Sequence, residues 1–402
     1  MRIKININNI NSISVLFAAA MSFYIVLLGT NSLFNLFAYG TSIDTMLVYG
    51  IYAAIILMSV IPIFRHVSSI QWLLFICFIF VSIWGCLLNP SCSDRIIKAL
   101  FMYSSFFLVG VSLQDNENLE RYVCISVVIA VLFSGVYTIF SLLVPGRYIH
   151  DMTAAYSILP SAILAVYFAL SKRKTAYYLC FVASALELFA MGVRGPILIY
   201  IISGVIILFR YIKKNYQKVL LILVAAIVLY FIASVQFVTL LNSLNNYLSK
   251  FGITNGIIKS LLRNSFFDDD GRTFISNSVW QAINEKPILG HGIFFDRVLL
   301  NGGYTHNIFT EMILDFGYVF GILLFLGVIW RIVVLLKKTR GNMFGFCLVL
   351  MVIALSLGQN FFSGSYLENE FFFLLIGMSF NRELWSNNIK RSKLNSNCKD
   401  KL

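Results

Sequence analysis

The sequence predicts an all-α, polytopic integral membrane protein of about 12 transmembrane helices with one large loop outside the membrane. Three observations predict it. Of 402 residues, 59% are hydrophobic and 12% charged, and the mean hydropathy is +0.83; a soluble chain is about a quarter charged. Apolar runs of about 18–20 residues, long enough to cross a hydrocarbon core as helix, recur along the chain. Lysine and arginine collect in alternate connections. The apolar runs show no two-residue alternation, which argues against a membrane β-barrel.

Arg2 and Lys4 precede an apolar stretch from Ile13 to Leu28, long for a signal-peptide core, so it reads as an uncleaved first span. Spans are expected near 13–30, 45–63, 70–88, 96–113, 122–144, 152–170, 175–192, 195–212, 219–241, 307–336, 343–362 and 369–381. This divides the chain into nine spans over 1–241, a large loop over 242–306, three spans over 307–381 and a basic tail over 382–402. Arg65, Arg121, Lys172–Arg173–Lys174, the Arg210–Lys218 cluster and Lys337–Lys338–Arg340 mark one side, as does the tail. The positive-inside rule makes that side cytoplasmic and puts both termini there.

A net charge of +13 invites a nucleic-acid reading. The outer loop excludes it, since its bases (Lys250, Lys259, Arg263, Arg272, Lys286, Arg297) are nearly balanced by acids (Asp268, Asp269, Asp270, Glu285, Asp296). The basic excess is topological. The seven cysteines show no disulfide framework and no metal spacing. Cys86 and Cys92 read as free thiols, with a pairing at one outer loop as the alternative. Asp268–Asp270 before Gly271 reads as a solvated turn, with a metal site as the alternative.

Chemistry is expected in and beside the outer loop, because long loops are usually functional. Arg272–Ile283 has helical spacing (Phe274, Val279, Ala282, Ile283) and predicts an amphipathic helix on the outer membrane face, broken by Pro287, Gly290 and Gly292. The next helix is expected to begin at His306, with Thr305 as N-cap. Asn307, Glu311 and Asp315 then share one stripe. The chain has four histidines; one in a first turn suits general-base work near neutral pH, or a capping or packing role. Arg194, in FAMGVRGPIL, sits on the outer side close to the membrane, where a guanidinium needs solvent, a partner or an anion. Glu187 is the expected structural partner. Arg147, in PGRYIHDM, is a third outer base; the arginine fork suits diphosphate.

The run RTFISNSVWQAINEKPILGHG…YTHNIFTEMILDFGYVFG resembles the signature region of the bacterial O-antigen polymerase and O-antigen ligase superfamily. An Arg opens a helix, a Pro-x-x-Gly-x-Gly turn follows, then His306–Asn307, nine residues and Gly317. The family's second Gly falls three residues on, where this chain has Phe320 and then Gly321. MGVRGPIL is similar to the family's "SRG" element with Val193 in place of Ser; DMTAAYSILP and QNFFSGSYLENEFFFLLIG also resemble family segments. The resemblance implies a GT-C-type inverting glycosyltransferase that works without metal, cofactor or nucleotide sugar. The donor would be a glycan on undecaprenyl diphosphate, met among membrane lipids, with a chain-length regulator as a possible partner. His306 would be the base, with Arg272 and Arg194 as its catalytic companions on the diphosphate. Arg147, Tyr304, Asn307 and Glu311 would bind substrate, and Asn307 or Glu311 would orient the His. The close rival to a repeat-unit polymerase is a ligase delivering polymer to lipid A–core; a flippase for lipid-linked oligosaccharide is the rival of another class.

Overall fold

The computed structural model describes residues 25–26, 68–113, 117–143, 148–149, 152–212, 239, 241–250, 252–262 and 272–381. The span expected at 45–63, Arg147, Asp268–Asp270 and the tail lie outside them, as do the spans expected at 13–30 and 219–241 apart from residues 25–26, 239 and 241. Among the described residues nearly all structure is helical; the exception is a two-residue parallel pairing of Tyr148–Ile149 with Thr254–Asn255. Six helices are long and apolar enough to cross a membrane: Ser69–Leu88, Leu119–Leu142, Met152–Lys172, Arg194–Tyr211, Ile308–Lys338 and Met343–Phe362. Leu73, Phe80, Trp84 and Leu87 on the first of these are exposed, as a lipid-facing surface requires. This is a membrane protein. The chain forms two compact units, one holding the described residues among 68–122 and 272–381, the other those among 25–26 and 123–262.

In the second unit, Met152–Lys172 is the core, buried continuously from Ala154 to Ala169. Thr175–Ala190 and Arg194–Tyr211 flank it. In the first unit, Ser104–Ser112 and Glu370–Phe380 lie backbone to backbone: a Cβ at Gly110 would come within 2.5 Å of Leu374 O. Small residues permit such approach where lipid offers no hydrophobic drive. Asn381 Nδ2 donates to Gly110 O (3.1 Å) and Leu113 O (2.6 Å), and Gln71 Nε2 to Phe380 O (3.0 Å). Helix-end carbonyls are thus satisfied internally. Glu370–Phe380 has 11 residues, a rise of about 16 Å, so the last expected span does not cross a bilayer on its own.

The expected span 307–336 is two helices. Gly317 interrupts Ile308–Lys338 with φ 77°, ψ 174°. In an unbroken helix Met312 and Gly321 would stand about 13 Å apart. Instead a Cβ at Gly321 would meet Met312 O at 2.5 Å, so the chain folds back at Gly317. Residues 308–316 form a short buried leg; residues 318–338 form the long apolar one. The break frees backbone groups, and the Pro287–Gly292 turn fills it. His291 N and Gly292 N donate to Leu314 O and Asp315 O (both 2.9 Å), and Tyr318 N donates to Pro287 O (2.8 Å). Gly290 must be glycine, since its φ is +67° and a Cβ there would lie 2.5 Å from Asp315 O.

Candidate functional site around His306

The segment from Leu300 to Asn307 holds three residues at positive φ: Asn301 (50°), Gly302 (93°) and His306 (58°). A histidine in the left-handed region is strained by about 1–3 kcal/mol and persists only where its neighbours fix it. They do. The helix starts at Ile308, two residues later than expected, and Asn307, not Thr305, is its N-cap. Asn307 Oδ1 accepts from Phe309 N (2.9 Å) and Thr310 N (3.4 Å). On the other side of His306 the Tyr304 ring lies at 4.2 Å between centroids. His306 is half-buried. His291 is different: buried, stacked on Phe295 at 4.0 Å and bonded through Nε2 to Ala282 O at 2.7 Å. It is a packing histidine.

Behind His306 lies a buried charged cluster. Arg297 is nearly inaccessible; Nη1 reaches Asp296 Oδ2 (2.5 Å) and Gly303 O (3.1 Å), and Nη2 reaches Glu368 Oε2 (2.9 Å). Its guanidinium carbon sits 5.1 Å from the Tyr304 ring centre. Glu368 also receives Arg95 at 3.4 Å. Burial pushes Asp296 up to about 6, against the pull of Arg297. Burial opposes the charge on Arg297, but Asp296 and Glu368 outweigh it and keep the group protonated.

Glu311 and Asp315 complete this cluster. Glu311 is fully buried and accepts from Ser365 Oγ and Tyr366 N; Asp315 Oδ2 accepts from Tyr366 Oη at 2.7 Å. Burial and the two carboxylates push the Tyr366 phenol well up. These bonds tie the short leg of the helix to the 365–366 turn.

Arg272 opens helix Arg272–Glu285, as its place in the motif predicts. The apolar face of this helix does not simply lie on lipid. Val279, Ala282 and Ile283 pack on Ile313 and Leu314, while Phe274 stays 77% exposed. Trp280 stacks on Tyr318, whose hydroxyl donates to Asn284 Oδ1 at 3.1 Å. The helix is therefore docked on the leg that carries His306.

Arg194 belongs to the second unit. Helix Thr175–Ala190 ends at Gly192, whose φ of 72° reverses the chain, and Val193 is the N-cap of the next helix without a side-chain bond. Arg194 thus takes the first helical position. Asn255 Nδ2 closes the preceding helix by donating to Phe189 O and Ala190 O, both at 3.2 Å. The expected Glu187–Arg194 pair gives way to another: Glu187 is buried and accepts from Ser134 Oγ at 2.5 Å. A Cβ at Gly135 would press on Glu187 Oε1, so a bare backbone makes room for the acid. Cys86 and Cys92 are free thiols, as expected.

Residues 179–326 match a family model described as O-antigen ligase. Over this segment the chain is similar to the O-antigen ligase and polymerase superfamily. No curated protein and no solved structure matches the chain significantly. The matched segment contains Arg194, Arg272, Tyr304, His306, Asn307, Glu311 and Gly317. This likeness supports, in general terms, an O-antigen polymerase or ligase activity in a membrane. Arg297 and Glu368 stand in the sequence as ordinary loop charges, and only the fold reveals their ion pair. Glu368 lies in SGSYLENE, part of a segment that carries the resemblance.

Proposed function

We propose that this protein polymerises undecaprenyl-diphosphate-linked repeat units into O-antigen or capsular polysaccharide at the outer face of the cytoplasmic membrane. The observation that carries the reading is His306. It is a half-buried imidazole in a strained left-handed conformation, fixed by Tyr304 and the Asn307 cap, within the superfamily segment. In the proposed step an acceptor-sugar hydroxyl attacks the donor's anomeric carbon from the face opposite the diphosphate. The new glycosidic C–O bond forms as the anomeric C–O bond to phosphorus breaks, and the anomeric configuration inverts. The electron pair leaves on the diphosphate oxygen, and the hydroxyl proton passes to the imidazole. Arg194 and Arg272, with Arg147, hold the diphosphate where charge develops. Tyr304 and Asn307 border the acceptor.

The family description itself favours a second reading, ligation of polymer to lipid A–core. Deleting the gene in a Gram-negative host separates the two on a lipopolysaccharide gel. Loss of polymerase leaves core capped with single repeats; loss of ligase leaves bare core.

Arg194→Lys is expected to lower polymer synthesis by about 10²-fold or more, because a point charge does not replace the two-pronged guanidinium. Radiolabelled repeat-unit incorporation in membranes checks it, and full activity in the lysine variant would remove Arg194 from diphosphate binding.

A further inference from the structure

We propose that Arg297 is a positioning residue for His306 and acts through the ring of Tyr304. The inference rests on the reading of His306 as the base. Three groups follow one another: the guanidinium carbon of Arg297 lies 5.1 Å from the Tyr304 ring centre, and the Tyr304 and His306 rings, tilted by 53°, have centres 4.2 Å apart. The first group cannot move freely. Arg297 is held at Asp296 Oδ2 (2.5 Å), Gly303 O (3.1 Å) and Glu368 Oε2 (2.9 Å), from two of its nitrogens, with its side chain 2% exposed. These partners come from two segments distant in sequence, so the plane of the guanidinium is set by tertiary structure. The bond to Gly303 O also fixes the backbone next to Tyr304.

The chemistry requires arginine. A guanidinium is flat, presents donors at fixed angles and offers a face to an aromatic ring. A lysine at 297 would keep one positive charge among the acids and lose both the fork and the face. The strained φ of His306 persists only where its surroundings hold it, and the Tyr304 ring at 4.2 Å is one of those surroundings. Tyr304 thus has its structural task on the ring, whatever its hydroxyl does.

The test uses full-length protein in nanodiscs with a lipid-diphosphate-linked repeat unit, measuring kcat and KM for Arg297→Lys, Tyr304→Leu, Tyr304→Phe and the Arg297→Lys/Tyr304→Leu double variant. Misplacement of a catalytic group by about 1 Å costs about 10²-fold, so Arg297→Lys and Tyr304→Leu should each lose about that in kcat, with KM changed less than about twofold in Arg297→Lys, which does not border the acceptor. Tyr304→Phe should keep at least about ten times the kcat of Tyr304→Leu, since the ring beside His306 remains. The double variant should fall no more than about threefold below the worse single, because both changes break one device. Full activity in Arg297→Lys, equal loss in the two Tyr304 variants, or losses that multiply would each overturn the inference. Should Arg297→Lys not accumulate in the membrane, the two Tyr304 variants decide alone. His306→Gln is measured alongside. If it is inactive while Arg297→Lys and Tyr304→Leu turn over normally, the base survives and only the positioning role falls. If His306→Gln turns over normally, both fall.

Discussion

Replacing His306 by alanine is expected to abolish polymer while leaving the amount of protein in the membrane unchanged. Loss of a general base costs about 10²–10⁴-fold, enough to erase a ladder of chain lengths on a gel. The fold should tolerate the change, because the side chain is only half-buried and the helix cap is made by Asn307 rather than by His306. The backbone offers an internal control. At φ 58° a glycine is relaxed where alanine is strained, a difference of about 1 kcal/mol. His306→Gly should therefore be at least as stable as His306→Ala in a thermal melt in detergent, and equally inactive. Polymer of normal length from either variant would take His306 out of the mechanism.

Gly317→Ala is expected to prevent the protein from folding stably. The position has φ 77° and ψ 174°, open in practice to glycine alone. A Cβ there would collide with the Ile288 carbonyl and stand 2.8 Å from Pro287 O. The turn that fills the helix break would have to withdraw, leaving Leu314 O, Asp315 O and Tyr318 N without partners. Strain of about 1–3 kcal/mol adds to a similar cost for each unsatisfied buried group, so the total exceeds about 4 kcal/mol, at the destructive end for single substitutions. Little monodisperse protein should survive extraction and size-exclusion chromatography. Gly327→Ala, where a Cβ meets nothing within 4 Å, should behave as wild type. A Gly317→Ala protein with normal yield and melting temperature would refute the folded-back geometry.

Much of this could be read from sequence because lipid makes hydropathy decisive. Ser69–Leu88, Met152–Lys172 and Arg194–Tyr211 lie close to their expected bounds. The Pro287–Gly292 turn and Gly317 were marked by residue type alone. Their joint purpose was not legible: the apolar pattern runs unbroken through LDFGYVFGILL, so nothing local reports that the chain reverses. Arg297 was hidden for a related reason. Beside Asp296 it looked like balanced loop charge, whereas another partner, Glu368, is 71 positions away. Glu187 likewise bonds Ser134, 53 positions earlier, rather than the nearby Arg194. Tertiary pairing of charges overrides sequence proximity because a buried acid must take whichever donor the fold brings. The cap was misplaced by two residues since His306 adopts a left-handed backbone, which prolongs the loop before the helix.

The most direct measurement is a purified-component reaction: the protein in liposomes, a synthetic polyprenyl-diphosphate oligosaccharide as the sole glycan, and mass spectrometry with NMR of the product. Glycan lengthened by whole repeats, with the new linkage inverted relative to the donor and one polyprenyl diphosphate released per repeat, all lost in His306→Ala, is the predicted result. Movement of the lipid-linked sugar across the bilayer with no lengthening, or lengthening that persists in His306→Ala, would contradict it.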